Sequence, residues 1–421
     1  MLDMKLIREQ SDLVRAAVAN KNEKCDLDAI LALDGRRREI IRTVERLKAE
    51  RNQASAEIAV KKKAGQNADE AIGATRRLGD EIKVQDDTLR QVESELQKSL
   101  EWLPNLPHES VPLGSDSSAN TVIRDWGMKP KQDFKVLPHW EIGEKLGILD
   151  MAAGAALSGS GFYVLRGQGA RLQRALVSYM IDLHSAAGFV EVATPYMVTS
   201  DTMFGTGQLP KLASDMYHIE ENDLWLIPTA EVPVTNLYKQ KILAEEELPI
   251  YMVAHSPCFR REAGAAGKDT RGMIRVHQFD KVELVKIVHP EQSYKELESL
   301  VVQCEKVLQG LKLHYRVVTL CTGDLSFASA KTYDLELWAS GVERYLEISS
   351  ISNFEAFQAR RMNLRFRNVE KKVEFAHTLN GSGLALARLV AAVLENYQNP
   401  DGSITVPEVL RPYMGGVERI G

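Results

Sequence analysis

Between about residues 27 and 64, apolar side chains recur as Ile40, Val44, Leu47, Ala54 and Ile58, with Arg51 at the missing step of a four-three alternation. That spacing is a heptad seam, and a seam needs a second helix to cover it. A second series, Leu78, Ile82, Gln85, Leu89, Val92, Leu96, Leu100 and Leu103, follows a stretch whose Gly65 and Asn67 suit a tip between helices. The simplest solution is an antiparallel helical hairpin over about residues 27–103. At about 1.5 Å per residue, ~38 residues make an arm of roughly 55 Å. Its faces are too polar to lie flat on a small domain, so the sequence predicts an arm projecting into solvent.

Charge on this hairpin is uneven. Residues 36–63 hold ten Lys or Arg against four Glu, whereas the first 105 residues are close to balanced. Arg36, Arg37, Arg38, Arg42, Arg46, Lys48, Arg51, Lys61, Lys62 and Lys63 could follow a phosphate backbone, which positions a nucleic acid without reading its sequence. A spacer or a dimerisation device would carry charged outer faces too, and the arm alone leaves those readings open. The net charge of −5 over the whole chain gives no hint of a nucleic-acid partner.

A chain of 421 residues exceeds what one core usually holds. Trp102 to His108 and the polar run Gly114 to Asn120 punctuate it with Pro and Gly. The expected division is an N-terminal domain over 1–110, a linker over 111–125 and a body over 126–421. The first residues lack a signal peptide, and no run approaches the ~20 apolar residues needed to span a membrane, so a soluble, cytoplasmic protein is expected. Cys25, Cys258, Cys304 and Cys321 have no C-x-x-C spacing, which argues against a disulfide framework and against zinc. In the body, Arg171 to His184 reads as a helix and Gly188 to Pro195 as a short strand. Leu224 to Ile227, Met252 to Phe259, Gln278 to Ile287 and His314 to Leu320 read as strands, and Gln292 to Leu311 as a helix. No strict βαβ spacing and no P-loop or dinucleotide fingerprint appears, which favours an α+β fold with an antiparallel sheet flanked by helices.

Ser256 to Glu283 sets charged side chains on two apolar runs around a Gly-rich bend. Arg260 and Glu262 offer a planar cation for a phosphate and a carboxylate for an amine, and Phe279 offers a ring face for a base. Gly264, Gly267 and Gly272 with Lys268, Asp269, Arg271 and Arg275 favour a solvated, mobile loop between them. Alone, Arg-x-Glu reads first as an ordinary surface hairpin with exposed ion pairs. Earlier in the chain, Thr229 and Glu231 read as a helix start, or as a hydroxyl and carboxylate for an ammonium group. Glu347 and Ser350 offer two hard oxygens to a phosphate-bound Mg²⁺, or are simply one exposed acid on an amphipathic strand. Arg388, early in a mostly buried helix, needs a carboxylate or a bound anion.

Arg260-x-Glu262, Gly267 to Gly272 and His277-Gln-Phe-x-Lys-Val-Glu283 together resemble motif 2 of the bacterial-type seryl-tRNA synthetases, which are class II aminoacyl-tRNA synthetases. The Arg171 to Pro195 segment resembles motif 1, and Leu379 to Arg388 resembles motif 3. The resemblance covers nearly the whole chain, arm included. It implies a class II catalytic domain, a coiled-coil arm that binds tRNA, and a homodimer built on motif 1. It implies ATP-dependent activation of L-serine to seryl-adenylate, then transfer to the 3′ end of tRNA(Ser) and, as the family allows, tRNA(Sec). Carried over residue by residue, Arg260, Glu347 and Arg388 would be catalytic. Thr229, Ala230, Glu231, Arg260, Glu283, Asn380 and Ser382 would bind serine. Arg260, Arg261, Glu262, Val276, Phe279, Glu347, Ile348, Ser349, Ser350 and Arg388 would bind ATP, with Mg²⁺ on Glu347 and Ser350. Lys268 and Arg271 would join Arg36, Arg37, Arg42, Arg46 and Lys61 to Lys63 in gripping tRNA. Gly161, Ile351 and Ala387 depart from the family's usual Arg, Cys and Gly. A synthetase-like enzyme that loads a carrier protein would lack the arm, and a noncatalytic paralogue would be expected to lose Arg260, Glu347 or Arg388.

Overall fold

In the computed structural model, which describes residues 1–263 and 271–421, the two heptad series fold as α1, Leu27–Lys63, and α2, Asp69–Leu100. Asp26 caps α1 by accepting from the Ala29 N–H at 2.9 Å. Asp28 in the first turn and Lys61 to Lys63 in the last complement the helix dipole. The pairs Arg37–Glu93 at 3.0 Å and Lys48–Asp86 at 3.6 Å fix an antiparallel register. Exposed pairs of this kind contribute about 0–1 kcal/mol each, so the apolar seam carries the hairpin. Ile40, Val44 and Val92 are buried together, with Leu33 and Leu89 against them. Towards the tip the seam thins, and Ala54, Ile58 and Leu78 are only half-buried.

These helices belong to one unit, residues 1–19 and 23–104; residues 20–22 and 105–421 form the other. The second unit is built on an eight-stranded sheet. Its strands in chain order are β1 Thr121–Trp126, β2 Val190–Glu191, β3 Ile250–Phe259, β4 Gln278–Val288, β5 Tyr315–Thr319, β6 Lys331–Ala339, β7 Arg344–Asn353 and β8 His377–Ala385. Spatially they run β1-β5-β6-β7-β8-β4-β3-β2. Every neighbouring pair is antiparallel except β2 on β3. Thr121–Trp126, the end of the expected linker and the first residue of the expected body, is an edge strand paired with β5.

Helices α3 Gln168–Ala186, α5 Ser293–Gly310 and α6 Leu386–Asn396 share one core with the sheet, and the short α4 Glu231–Asn236 falls between α3 and α5 in the chain. Leu172, Leu176 and Met180 of α3, Leu297 and Leu300 of α5, and Leu389, Val390 and Val393 of α6 are buried with Val282 and Leu284 of β4. Each such side chain stabilises the fold by roughly 1.5–3 kcal/mol relative to exposure. The strand expected over residues 188–195 shrinks to Val190–Glu191, both exposed, because it meets only the edge of β3. Between Val282 and Glu283 the β4–β8 ladder slips by one residue, which sets Glu283 opposite Ser382. Bulges of this kind re-aim side chains beside functional sites. Among the described residues no helix is long and apolar enough to cross a membrane.

Candidate active site

Strand β3 ends at Phe259, and the chain is then tied down residue by residue. Arg260 N–H donates to His277 O at 2.9 Å and Arg261 N–H to Asp215 O at 2.8 Å. Ala263 N–H donates to Asp215 Oδ1 at 2.8 Å. Glu262 takes the left-handed conformation, φ +50°, uncommon for a residue with a side chain, and its carboxylate meets Arg275 at 3.0 Å. The Arg260 guanidinium lies 5.3 Å from the Phe279 ring centre. Gly161 closes the base of this hairpin, since His277 N–H donates to its carbonyl at 2.8 Å. With φ +82° and only 2.2 Å between an added Cβ and the His277 ring, the site has no room for the Arg usual in the family.

Helix α6 grips the return leg at two points. Arg388 Nε donates to Ile274 O at 3.1 Å, and its Nη1 donates to Glu347 O at 2.5 Å, with the Glu347 carboxylate 3.8 Å away. Burial pulls this guanidinium below its ordinary pKa, while Glu347 opposes the shift and Arg275 and Arg260 add to it. At the far end of α6, Glu395 Oε1 meets His139 Nδ1 at 2.7 Å, and His139 Nε2 accepts from Met273 N–H at 2.9 Å. These partners assign the proton to Nδ1. Glu395 Oε2 accepts from Gly341 N–H at 2.8 Å and Val342 N–H at 3.2 Å.

A cavity of about 430 Å³ opens between these elements. Thr229, Glu231, Arg260, Glu262, Val276 and Phe279 line it, as do Glu347, Ile348, Ser349 and Ser350 of β7. Asn380 and Ser382 of β8 and Arg388 of α6 complete the set that the cavity brings together. Ala230, Arg261 and Glu283 do not line it. Ala230 and Glu283 are wholly buried, and Arg261 is exposed.

At one end the cavity becomes a buried polar cluster. Thr229 Oγ1 accepts from Glu231 N–H at 3.1 Å, so the helix-start reading of that pair holds beside any binding role. Glu231 Oε1 accepts from Gln358 Nε2 at 2.7 Å and Oε2 from Asn380 Nδ2 at 2.9 Å. The same amide nitrogen of Asn380 donates to Glu283 Oε1 at 3.0 Å. Burial, and then the negative charge of Glu283, pushes the Glu231 carboxyl up to about 7, against the Gln358 hydrogen bond and the cations of Lys281 and Arg260. A carboxylate this costly to ionise is poised to accept a cationic ligand.

Elsewhere on the wall Glu347 is exposed, and Ser350 stands opposite Asp334 in the β6–β7 ladder. Burial, then Glu347, raises the Asp334 carboxyl well above the usual range. Its Oδ1 is buried without a hydrogen-bond partner among the described residues. Two hard oxygens at the cavity wall, with an orphaned carboxylate oxygen behind them, fit a magnesium ion completed by phosphate oxygens and water. They do not fit an all-protein cage, and no group of three or more His, Cys, Asp or Glu suited to a metal occurs among the described residues.

The expected tRNA contacts divide between the units. Arg36, Arg42, Arg46 and Lys61 to Lys63 are exposed on the hairpin, while Arg37 is half-buried and paired with Glu93. Arg46 also pairs with Glu50 at 2.8 Å. Arg271, in the second unit, is exposed with its guanidinium 5.0 Å from the Trp140 ring centre. Lys268 lies outside the described residues. Sequence reasoning missed Asp215, Gln358, His139 and Glu395, and gave Lys281 no role. Only Lys281 carried a local signal, being two residues from Glu283 on one strand.

Comparison with known proteins is consistent across the chain. Residues 1–107 match the family described as "Seryl-tRNA synthetase N-terminal domain", and residues 216–397 match "tRNA synthetase class II core domain (G, H, P, S and T)". The serine–tRNA ligase of Thermomicrobium roseum is 55% identical over 423 residues, covering 100% of this chain and 95% of its own. That of Carboxydothermus hydrogenoformans is 56% identical, covering 100% and 99%. The solved seryl-tRNA synthetase of Pyrococcus horikoshii, complexed with ATP, superposes with a TM-score of 0.94 at 36% identity, covering 100% and 99%.

Proposed function

The chain belongs to the seryl-tRNA synthetase family, and from that premise we propose how its residues share the work. It is an ATP-dependent ligase that activates serine as seryl-adenylate, releases pyrophosphate and passes serine to tRNA. The serine ammonium meets Glu231 and Thr229, with Gln358 and Asn380 fixing the carboxylate. Ser382 and Glu283 read the substrate hydroxyl, Glu283 acting from beneath the cavity wall. Arg260 holds the serine carboxylate against the α-phosphate, and Phe279 gives adenine a stacking face while Glu262 meets its amine. Arg388 takes the γ-phosphate, and Val276, Ile348 and Ser349 line the same cavity around ATP. Glu347 and Ser350 would hold Mg²⁺, which supplies positive charge for the bent triphosphate.

The chemistry is then positioning and electrostatics. The serine carboxylate oxygen attacks the α-phosphorus in line, the bond to the bridging oxygen breaks, and the electron pair leaves with pyrophosphate. The terminal hydroxyl of tRNA next attacks the seryl carbonyl and AMP departs. No side chain forms a covalent bond.

One observation carries this reading: a buried carboxylate held by two amide donors shares its cavity with Arg260, Phe279 and Arg388. The test is amino-acid-dependent pyrophosphate exchange over the standard amino acids with Mg²⁺, in wild type and in Glu231→Gln. Exchange with serine alone, weakened through serine KM in the variant, is expected. An unaffected serine KM would remove Glu231 from the site.

The same reading assigns residues 1–110 to tRNA binding and 126–421 to catalysis. tRNA(Ser) is the macromolecular substrate, tRNA(Sec) a second one, and the enzyme works as a cytoplasmic homodimer through the segment that includes α3. Sedimentation should give twice the chain mass; an active monomer would refute the dimer.

A further inference from the structure

At the proposed serine pocket, two carboxylates share one amide, and one of them also meets an ammonium. Lys281 Nζ lies 2.5 Å from Glu283 Oε2, close enough for an ion pair though not aligned as a hydrogen bond, with the side chains 7% and 0% exposed. Glu283 Oε1 and Glu231 Oε2 both accept from Asn380 Nδ2. Lys281 also lines the cavity, whereas Glu283 does not. With both acids ionised and Lys281 protonated, the cluster holds one net negative charge. That matches a single substrate ammonium.

We propose that Lys281 is a specificity-determining residue, whose ammonium occupies the Glu283 carboxylate ahead of the substrate. The pocket then takes an amino acid with an ammonium on Cα and a neutral hydroxyl on Cβ, and refuses one with a second ammonium on Cβ. The proposal rests on the reading that this end of the cavity holds the amino acid. Its physical basis is that a second ammonium would have to sit beside Lys281 in a site with little water to screen the repulsion, or displace it from a buried pair. A hydroxyl oxygen faces no such conflict, since it can accept one of the ammonium's N–H donors. Rejection is thus built from a repulsive element as well as attractive ones.

The probe is 2,3-diaminopropionate, which is serine with an amine in place of the hydroxyl, compared with serine in pyrophosphate exchange. Serine must support exchange in the wild-type enzyme; failure there overturns the assignment of the pocket rather than the role of Lys281. In Lys281→Met, serine KM should rise roughly a hundredfold because Glu283 loses its partner. ATP KM should stay within about threefold, and the preference for diaminopropionate over serine should rise at least about tenfold. Lys281→Arg keeps the charge and should keep the preference for serine. The paired variant Lys281→Met with Glu283→Gln leaves no charge unpaired and no carboxylate for a second ammonium, so it should again refuse diaminopropionate, whatever serine KM the loss of Glu283 leaves. An unchanged substrate ratio in Lys281→Met, or equal losses for serine and ATP, overturns the proposal. If Lys281→Met does not fold, the paired variant decides: one that folds and binds ATP but prefers diaminopropionate to serine overturns it too.

Discussion

Acid should weaken serine binding through Glu231 and leave ATP binding alone. The carboxyl is pushed up to about 7 by burial and by Glu283, with Lys281, Arg260 and Gln358 pulling the other way. Only the ionised form pairs with a substrate ammonium. With a pKa near 7, roughly a tenth of the enzyme carries that charge at pH 6 and about three quarters at pH 7.5, so serine KM should fall about eightfold across that interval. The stability effect of the same group has the opposite sign. A carboxyl whose folded pKa lies above its ordinary value contributes most at low pH, and that contribution is lost as pH rises from about 4.5 to about 7, on the order of 3 kcal/mol in all. Serine should restore part of it, because its ammonium binds the ionised form. Two assays follow: serine and ATP KM in pyrophosphate exchange from pH 6 to 7.5, and the rise in Tm on adding serine alone at each pH. Glu231→Gln should flatten both serine profiles. A serine KM constant within about twofold, or an ATP KM that moves in parallel, would refute the reasoning, since one titrating pocket carboxylate predicts a change of one proton in one substrate only.

Arg260→Lys keeps the charge but loses the planar fork that lies 5.3 Å from the Phe279 ring centre. Exchange should fall roughly a hundredfold or more, and near-normal exchange would show that a point charge suffices. Deletion of residues 28–100 should leave serine-dependent exchange largely intact and abolish charging of tRNA, and equal loss of both would contradict the division of labour between the units. His139→Gln disturbs the buried link between Glu395 and Met273. It should lower stability by about 1–3 kcal/mol in denaturant titration and raise KM for ATP more than for serine; equal changes in both would mean the link serves the fold alone.

The helical hairpin was legible because a 3.5-residue period needs no knowledge of anything distant, and its polar tip is marked by local chemistry. Several of the residues lining the cavity were legible for a different reason. Arg260 with Glu262, Thr229 with Glu231, and Glu347 with Ser350 each lie a few residues apart, so each pair survives as a string even though the strings are far apart in the chain. Gln358, Asp215, His139 and Glu395 stand alone in their segments and reach the site only through sheet order and loop packing, which no local spacing encodes. Lys281 is the intermediate case. Its partner lies two residues away on the same face of a strand, yet the β4–β8 bulge between Val282 and Glu283 decides what that face meets. Gly161 carried no functional hint in its composition, and only the packing of His277 against it explains why a larger residue is absent.

The placement of Arg388, Arg275 and Glu262 is set less by the hairpin that carries the last two than by α6, which carries the first. Arg388 and Glu395 are seven residues apart, two helical turns, and so lie on one face. Through that face Arg388 holds Ile274 O directly, and Glu395 holds Met273 N–H through His139. The return leg is therefore fixed at two successive residues just before Arg275, whose guanidinium in turn holds Glu262. Displacing α6 by even a fraction of an ångström would move Arg388, Arg275 and Glu262 together, because each link is a short hydrogen bond or ion pair with buried or half-buried partners. Mutual placement of these groups is the quantity on which a reaction driven by positioning depends. A helix whose remaining residues are packed into the core supplies that placement more rigidly than the loop could alone.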